Sequence, residues 1–279
     1  MHYNPAKRSD KHTVTTQDGS TTLYSAEFDE CYHSTRDGAL HEALTKHVIP
    51  ALTLQQNKER LTILDICYGL GYNTLATLYY LDMHYPDKQA HILSPEFDEE
   101  LVRSLRDFDY PAQFDSLRPI IESISQQGYY ADGRWHIEVF FGDARDFLHR
   151  LQNSDSTHYS LPATHSKFDV VYQDAFSPAK NPLLWTREWF ADVRASCADD
   201  AVLTTYSVAA STRMGLHENG FMLYEYHPED SRKSLIAAPN PLRIPASLEP
   251  TPSRIDMELK IARNPDARSL RDADLTIGV

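Results

Sequence analysis

The chain has 279 residues, of which 41% are hydrophobic, and this is enough for one large domain with a substantial core. Its formal net charge of −13 produces a field that repels nucleic acid, so an RNA partner would require a local basic surface. The three cysteines, Cys31, Cys67 and Cys197, are widely spaced, which predicts reduced thiols and no metal site. No apolar run is long enough to span a bilayer and the N-terminus lacks the apolar core of a signal peptide, so we expect a cytoplasmic protein without a membrane partner.

The N-terminal part precedes the first core strand. Residues 1–22 are polar and lack hydrophobic periodicity, which predicts a flexible arm. A short β-rich extension with many Thr and Tyr residues follows. Residues 38–54 are predicted to be helical, since apolar side chains recur at helical spacing, with Leu44, His47 and Val48 on the same face. We expect these elements to cover a ligand that binds at the first core strand.

That first core strand runs directly into a glycine turn. Residues 63–66 are apolar without alternation apart from Asp65, which is typical of a central parallel strand covered on both faces. Gly69 and Gly71 allow the backbone to approach a ligand closely. The third glycine of a dinucleotide-binding turn would fall at Thr74, so a dinucleotide is disfavoured. The acid before the turn favours an S-adenosylmethionine site instead.

Strand and helix patterns alternate beyond the turn. Asn73 is predicted to cap the helix that follows it. The alternation predicts an α/β domain over residues 23–239 with a mostly parallel, seven-stranded sheet. Residues 108–134 form a long connection with its own amphipathic helix, which is typical of a lid-like insertion. Residues 240–279 are Pro-rich and weakly periodic, which predicts a C-terminal tail.

Acidic residues follow the ends of four successive predicted strands: Asp65, Glu96, Asp143 and Asp174. Carboxyl ends of parallel strands meet at one edge of a sheet, so we expect the first three to line one crevice. We predict that Glu96 binds the ribose of an adenosyl group, that Asp143 binds its adenine, and that Asp65 and the glycine turn form the floor. Each acid taken alone fits equally well as a helix cap or a solvated strand end.

The sequence resembles the methyltransferases of bacterial tRNA wobble-uridine modification, which occur alone or fused to a flavin oxidoreductase. The resemblance covers roughly residues 23–239. Five parts of the sequence carry it: Tyr32-His33-Ser34 with Gly38 and Glu42, the run from Asp65 to Asn73, Ser94-Pro95-Glu96, the run from Phe141 to Ala144, and the run from Asp174 to Trp185. The last run is the most specific.

The resemblance implies a Rossmann-like class I S-adenosylmethionine-dependent methyltransferase. The implied reaction is N-methylation of 5-aminomethyluridine, or its 2-thio form, at the tRNA wobble position. No flavin domain follows residue 239 in this chain, so it resembles the stand-alone type, and a separate enzyme would supply the aminomethyluridine. The implied cofactor-binding residues are Tyr32, Ser34, Asp65, Tyr68, Gly69, Gly71, Asn73, Glu96, Phe97, Asp143, Ala144 and Asp174.

The chemistry can also be argued from the residues. An alkyl amine is protonated near neutral pH and must lose a proton before it attacks a methyl group, and Asp174 is placed to accept that proton or to orient the amine. Phe176 is predicted to stack on an everted uracil or to face the cationic sulfonium, although a core aromatic is the simpler alternative. Both residues are therefore our catalytic candidates.

The candidates for phosphate contact are Lys180, Arg187, Arg213, Arg232 and Lys233. Each fits as well as an ordinary solvated charge. The acidic net charge keeps a small-molecule amine methyltransferase open as an alternative. A polyamine aminopropyltransferase is less favoured, because Ser177 stands where its second acid is expected. A non-catalytic cofactor-binding module is the remaining alternative.

Overall fold

The chain folds around one mixed sheet, and the computed structural model describes residues 5–152 and 167–275. Nine strands form this sheet in the order β12-β10-β11-β9-β8-β4-β5-β7-β6. Their bounds are β4 Arg60–Ile66, β5 Gln89–Glu96, β6 Tyr129–Ala131, β7 Trp135–Phe141, β8 Phe168–Gln173, β9 Cys197–Thr205, β10 Met222–Tyr226, β11 Ser234–Ala238 and β12 Ser253–Arg254.

The centre of the sheet is parallel, as the sequence predicts. Strands β9, β8, β4, β5 and β7 pair in parallel, whereas β11 pairs antiparallel with β9 and β10 pairs antiparallel with β11. The chain enters at β4, builds outward through β5 and β7, and returns to the other side of β4 with β8. This reversal creates a switch point between β4 and β8, where open α/β sheets bind their ligands. The seven predicted strands are present, and the short strands β6 and β12 extend the two edges.

Helices cover both faces of the sheet. They are α1 Ala39–Glu42, α2 Ile49–Leu54, α3 Tyr72–His84, α4 Glu99–Ser104, α5 Arg118–Gln127, α6 Ala144–Gln152, α7 Arg187–Ser196, α8 Ala210–Glu218 and α9 Met257–Arg263. A π-helical turn, Ala43–Val48, joins α1 to α2. One core cluster packs α2 to α5 against alternate residues such as Ile63 and Ile92, and a second packs α6 to α8 against Leu64 and Leu93.

The N-terminal segment differs from the predicted flexible arm. Residues of β1 (Lys11–Thr15) pair antiparallel with β2 (Thr21–Ser25), and β3 (Glu30–Cys31) completes a small separate sheet. Nζ of Lys11 also lies 2.6 Å from Oδ2 of Asp98, which ties this sheet to the main domain. The sequence pattern did not indicate these strands, because each of them forms only beside its partner. Residues 1–4 lie outside the described residues.

The insertion over 108–134 packs into the core and does not stand apart as a lid. Phe114 is fully buried, and the Tyr110 hydroxyl donates to the carbonyl of Leu70 at 2.6 Å. Strand β6 then pairs with β7 at the sheet edge. Large aromatic residues in this segment therefore support the glycine turn from one side.

The Pro-rich C-terminal segment is docked along the domain. Strand β12 pairs with β10, and the N–H of Ile255 donates to the carbonyl of Leu223 at 2.8 Å. Farther on, the guanidinium of Arg145 forms a bidentate ion pair with Asp272. The segment is thus a part of the fold as far as residue 275, and 276–279 are not described. Over the described residues, no helix has the length and apolar character that crossing a bilayer requires.

Candidate active site

A pocket of about 290 Å³ opens at the switch point of the sheet. The loops after β4, β5, β7 and β8 form its walls, and the segment around β3 contributes Glu27, Phe28, Tyr32 and His33 from above. Nine of the predicted cofactor residues line it: Tyr32, Tyr68, Gly69, Asn73, Glu96, Phe97, Asp143, Ala144 and Asp174. The structure therefore brings most of these residues together, and their contact with a cofactor stays a prediction.

The glycine turn is shaped by left-handed backbone at three positions. Cys67 has φ +69°, Gly69 φ +53° and Gly71 φ +75°. A Cβ on Gly71 would lie 2.6 Å from the hydroxyl of Tyr68, and one on Gly69 would lie 3.2 Å from the ring of Tyr32. Only glycine fits at position 71, both for conformation and for space. This leaves backbone open to the pocket at the start of α3.

Helix α3 begins without the predicted asparagine cap. Its N-cap is Gly71, with no capping side chain, and Asn73 lies in the first turn. The side chain of Asn73 reaches across the site, where its Nδ2 donates to Oδ2 of Asp174 at 2.8 Å. The prediction failed because a glycine in left-handed conformation already ends the turn and frees the amide for another partner.

Glu96 is held at the end of β5 by backbone donors. Its Oε2 accepts the N–H of Gly69 and its Oε1 the N–H of Asp98, both at 2.8 Å. Burial raises the pKa of Glu96 in spite of these two bonds. Each carboxylate oxygen keeps a second lone pair, so the pair of oxygens suits two neighbouring hydroxyl groups. The site therefore fits the ribose of an adenosyl group, which is the geometry expected for S-adenosylmethionine.

Asp143 lines the same pocket from the loop after β7. Its Oδ1 accepts the N–H of Arg145 at 2.8 Å, which fixes the carboxylate at the start of α6. Phe97 also lines the pocket, is 45% exposed, and carries the guanidinium of Arg8 at 3.9 Å from its ring centroid. A flat, partly apolar slot bounded by a carboxylate suits an adenine ring with an amino group.

Three predicted cofactor residues lie outside the pocket lining. Asp65 is fully buried behind the turn, where it accepts from Oγ1 of Thr74 at 2.8 Å and from Nδ2 of Asn73 at 3.4 Å. Burial and the charge of Asp174 raise the pKa of Asp65 to about 7. Asp65 therefore supports the turn from below and does not form its surface.

The other two act in the same indirect way. Gly71 shapes the turn from outside the pocket lining, through its left-handed backbone and its contact with Tyr68. The N–H of Ser34 donates to Oε2 of Glu42 at 2.7 Å, and its hydroxyl accepts from the N–H of Asp37. Ser34 thus anchors the segment that carries Tyr32 and His33.

Asp174 projects from the end of β8 into the pocket. Its side chain is only 11% exposed, and besides Asn73 it faces Nε2 of His47, which lies 3.4 Å from its Oδ1. Burial by itself would raise the pKa of Asp174, but the charge and hydrogen bonding of His47, followed by the charge of His33 and the Asn73 amide, hold it below its usual range. Asp174 is therefore present as a carboxylate at the pocket wall.

Two histidines of this site are not among the residues that the sequence predicts for it. The pattern indicates only a core position in a helix for His47, and only membership of a motif for His33. Both are buried, and burial lowers the pKa of His33. The sequence could have indicated His47, because an imidazole stands there among the apolar residues of the predicted helix 38–54. A buried histidine at helical spacing is, however, usually structural.

Phe176 lies at the pocket wall among other aromatic rings, and its contact with a substrate or cofactor stays a prediction. Its ring lines the pocket and stacks on Phe28 with centroids 4.4 Å apart, while Tyr32 meets it edge-on at 4.9 Å. The indole of Trp185 donates to the Phe176 carbonyl at 2.7 Å and fixes the loop. An aromatic wall of this kind is suited to a planar base or to a cationic group.

Of the five predicted phosphate contacts, only Lys180 lines the pocket. Its Nζ pairs with Oδ2 of Asp29 at 2.7 Å. The other four also have partners within the protein: Arg187 with Glu218, Arg213 with the Val208 carbonyl, Arg232 with Asp37, and Lys233 with Glu225. RNA contact by these residues stays a prediction. Within 5–152 and 167–275, no group of three or more acidic, histidine or cysteine side chains is arranged for a metal ion.

Comparison with known proteins yields a consistent set of relatives. A family of S-adenosyl-L-methionine-dependent methyltransferases matches residues 115–240. The crystal structure of MNMC2 from Aquifex aeolicus has a TM-score of 0.78 and 28% identity, covering 97% of this chain and 81% of that one. An uncharacterized protein of Methanocaldococcus jannaschii is 29% identical over 95% of this chain and 68% of its own length.

Further relatives are bifunctional proteins. The tRNA 5-methylaminomethyl-2-thiouridine biosynthesis bifunctional protein MnmC of Azoarcus sp. is 30% identical over 72% of this chain and 31% of its own length. The MnmC protein of Aeromonas hydrophila is 27% identical over 77% of this chain and 33% of its own length. The chain thus spans about a third of the length of these relatives.

Proposed function

We propose that this chain, a homologue of the methyltransferase domain of MnmC, N-methylates 5-aminomethyluridine, or its 2-thio form, at the tRNA wobble position. The product would be the 5-methylaminomethyl nucleoside. The names of the bifunctional relatives refer to the biosynthesis of this nucleoside, and MNMC2 of Aquifex aeolicus is similar over nearly the whole chain.

The observation that carries the proposal is the position of Asp174. Its carboxylate lies at the pocket wall, bonded to Asn73 on the first turn of α3, directly beside the glycine turn. A protonated alkyl amine that enters here meets a fixed negative charge. The carboxylate orients the ammonium group and offers an oxygen to the departing proton, so that the nitrogen lone pair becomes available. Alignment of the amine then supplies much of the rate enhancement.

The residues present fit the cofactor of this family. S-adenosylmethionine supplies a methyl group that is already activated on a sulfonium centre. We assign its ribose to Glu96, its adenine to the slot beside Asp143 and Phe97, and its methionine part to the open backbone at Gly69. The two backbone N–H groups that hold Glu96 leave its outer lone pairs free for hydroxyl groups.

The aromatic wall would receive the substrate base. Phe176, supported by Phe28 and Tyr32, presents a π surface at the same end of the pocket as Asp174. Stacking of an everted base on an aromatic side chain contributes about 1–3 kcal/mol and does not depend on sequence. This contact would hold the uracil so that its aminomethyl group points to the carboxylate.

The tRNA itself would be held mainly by cations near the pocket mouth. Lys180 is placed best, while Arg187, Arg213, Arg232 and Lys233 remain further candidates. A separate enzyme would supply the aminomethyl group, and action on tRNA would place the protein in the cytoplasm.

A small-molecule amine is the second candidate substrate. The observation that favours it is electrostatic: the net charge is −13 and all five candidate phosphate contacts already have partners within the protein. An acidic pocket attracts a small organic cation more readily than a polyanion.

Methyl transfer from labelled S-adenosylmethionine to a panel of acceptors separates the two candidates. The panel contains tRNA with 5-aminomethyluridine, the same tRNA with unmodified uridine, and free polyamines. We expect label only in the first acceptor. Label in the polyamines alone would contradict the tRNA assignment while leaving the enzyme class intact.

A further inference from the structure

A cluster of buried titratable groups surrounds Asp174 at the pocket wall. It contains His47 from the π-helical turn, His33 from the loop before α1, and Asp65 from β4. His47 and Asp65 have no solvent exposure at all. Burying groups of this kind is costly unless each has a partner, so their arrangement calls for an explanation.

The π-helical turn Ala43–Val48 is what brings His47 to this place. One extra residue in a helical turn rotates the following side chains relative to a regular helix, and such turns occur frequently at functional sites. Here the imidazole packs edge-on to Tyr172 of β8, with centroids 5.8 Å apart. Its Nδ1 lies 3.0 Å from Oγ1 of Thr204.

The second ring nitrogen of His47 is directed at Asp174. Nε2 has no partner with full hydrogen-bond geometry among the described residues, yet it lies 3.4 Å from Oδ1 of Asp174. Two atoms with only lone pairs would repel each other at this distance in a buried site. A proton therefore lies between them, and the hydroxyl of Thr204 can either donate to Nδ1 or accept from it.

We propose that His47 is a positioning residue for methyl transfer: its Nε2–H keeps Asp174 ionised and directed into the pocket. Asn73 holds one carboxylate oxygen and His47 faces the other, so the carboxylate cannot rotate without losing a partner. Asp174 then acts chiefly by orienting the substrate ammonium group. The part of His47 in methyl transfer rests on the proposed function, whereas its coupling to Asp174 does not.

Other charged groups around the pair affect its pH dependence. His33 interacts electrostatically with Asp174 from the loop before α1, and burial lowers the pKa of His33. Asp65 faces both Asp174 and His47 from β4, and its pKa is about 7. Tyr172 packs on His47 and stays protonated, because burial raises its pKa above the usual range. Asp65 is therefore the neighbour whose ionisation must be separated from that of the pair.

The coupling can be measured without substrate. Nitrogen-15 NMR of imidazole-labelled protein reports the protonation of each ring nitrogen of His47, with the signal assigned through His47→Gln. We expect a protonated Nε2 in the wild type and a shifted Nε2 signal in Asp174→Asn at the same pH. The same comparison with Asp65→Asn separates the effect of Asp65. A His47 signal that ignores Asp174→Asn would overturn the proposal.

Steady-state kinetics then test the consequence for catalysis. His47→Gln keeps an N–H donor but cannot carry a positive charge. His47→Leu has neither a donor nor a charge. We expect His47→Leu to lower kcat by about tenfold or more and to move the acid limb of the kcat–pH profile to higher pH. His47→Gln should lose less of its kcat. The KM for S-adenosylmethionine should change little in either variant. His91→Gln is the matched control, since His91 is also buried in the sheet, on β5.

The outcomes separate the two proposals. Wild-type kcat and pH profile in a folded His47→Leu protein would overturn the positioning of Asp174 by His47. Should His47→Leu fail to fold, the substrate-free NMR comparison of wild type with Asp174→Asn still tests the coupling of His47 to Asp174. If that comparison shows coupling but no tRNA is methylated, the proposed function is contradicted and the interaction of His47 with Asp174 is supported.

Discussion

The carboxylate of Glu96 is held in one orientation by neighbouring backbone groups. Two backbone N–H groups hold its carboxylate at the end of β5, at a position where burial alone would favour the neutral acid. The sequence placed this acid at a strand end, but it did not reveal which donors would hold it. Those donors depend on the conformation of Gly69, which sequence pattern alone does not specify.

Replacing Glu96 by glutamine is expected to weaken the binding of S-adenosylmethionine. The amide cannot accept from two backbone N–H groups and two hydroxyl groups at once, so charge-assisted bonds worth about 1.5–3 kcal/mol are lost, or roughly 10- to 100-fold in Kd. Isothermal titration calorimetry measures this change. Glu138→Gln, on β7 and outside the pocket lining, is the control, and equal affinities for both variants would contradict the assignment.

Asp65 makes stability depend on pH in an unusual direction. Its pKa is about 7 in the folded protein, against an ordinary value of 3.8. As pH rises from 4 to 7, the unfolded chain loses this proton while the folded protein keeps it, so the contribution of Asp65 to the free energy of unfolding falls.

Asp65→Asn removes this titration. We therefore expect the stability of the variant relative to wild type to rise between pH 5 and pH 8, by about 2 kcal/mol. Urea unfolding at both pH values measures the difference. Asp115→Asn, at an exposed acid, should show no such trend, and a flat difference for Asp65→Asn would refute the buried titration.

At the scale of the elements, the glycine turn and helix α3 are the parts that pattern predicted best. An apolar run followed by two closely spaced glycines allows few interpretations other than a strand, a turn and a helix. Strand β4 and helix α3 lie where this pattern predicts them. The π-helical turn could not be predicted in this way, because its side-chain spacing over six residues resembles that of an α-helix. The same holds for the short strands β1 and β12, whose formation depends on a partner strand.

Gly71→Ala tests the turn that begins α3. Placing alanine in the left-handed backbone conformation costs roughly 1–2 kcal/mol of unfolding free energy. At position 71 a Cβ would also lie 2.6 Å from the Tyr68 hydroxyl. Gly220 has a similar φ of +81°, but a Cβ there would have no atom within 4 Å, so Gly220→Ala gives the conformational cost alone. We expect Gly71→Ala to lose clearly more unfolding free energy in urea. Equal losses would show that the turn is not tightly packed.

At the scale of the whole molecule, the difficulty is how a chain of net charge −13 would hold tRNA. The site was largely predictable, because its acids follow strand ends that meet at one sheet edge. Its electrostatic surroundings were not, since the partners of Lys180 and Arg232, namely Asp29 and Asp37, come from the N-terminal part of the chain. The sequence alone does not predict such ion pairs, because their members lie far apart in the chain.

The pair of Lys180 and Asp29 provides a direct test of the RNA contact. Lys180→Ala should weaken tRNA binding and lower the salt slope by about one charge. Asp29→Asn should strengthen binding, because it releases Lys180, and asparagine tolerates the positive φ of 53° at this position. Binding isotherms at several salt concentrations measure both changes. Equal effects of the two variants in the same direction would remove Lys180 from the RNA surface.

The central claim is that Asp174 directs an amine nitrogen of tRNA to the methyl donor. Nucleoside mass spectrometry of tRNA carrying 5-aminomethyluridine, after incubation with labelled S-adenosylmethionine, tests it most directly. The account predicts a labelled 5-methylaminomethyl nucleoside with the wild type and almost none with Asp174→Asn, although that variant still binds S-adenosylmethionine. Undiminished product with Asp174→Asn, or label on a different atom of the nucleoside, would contradict it.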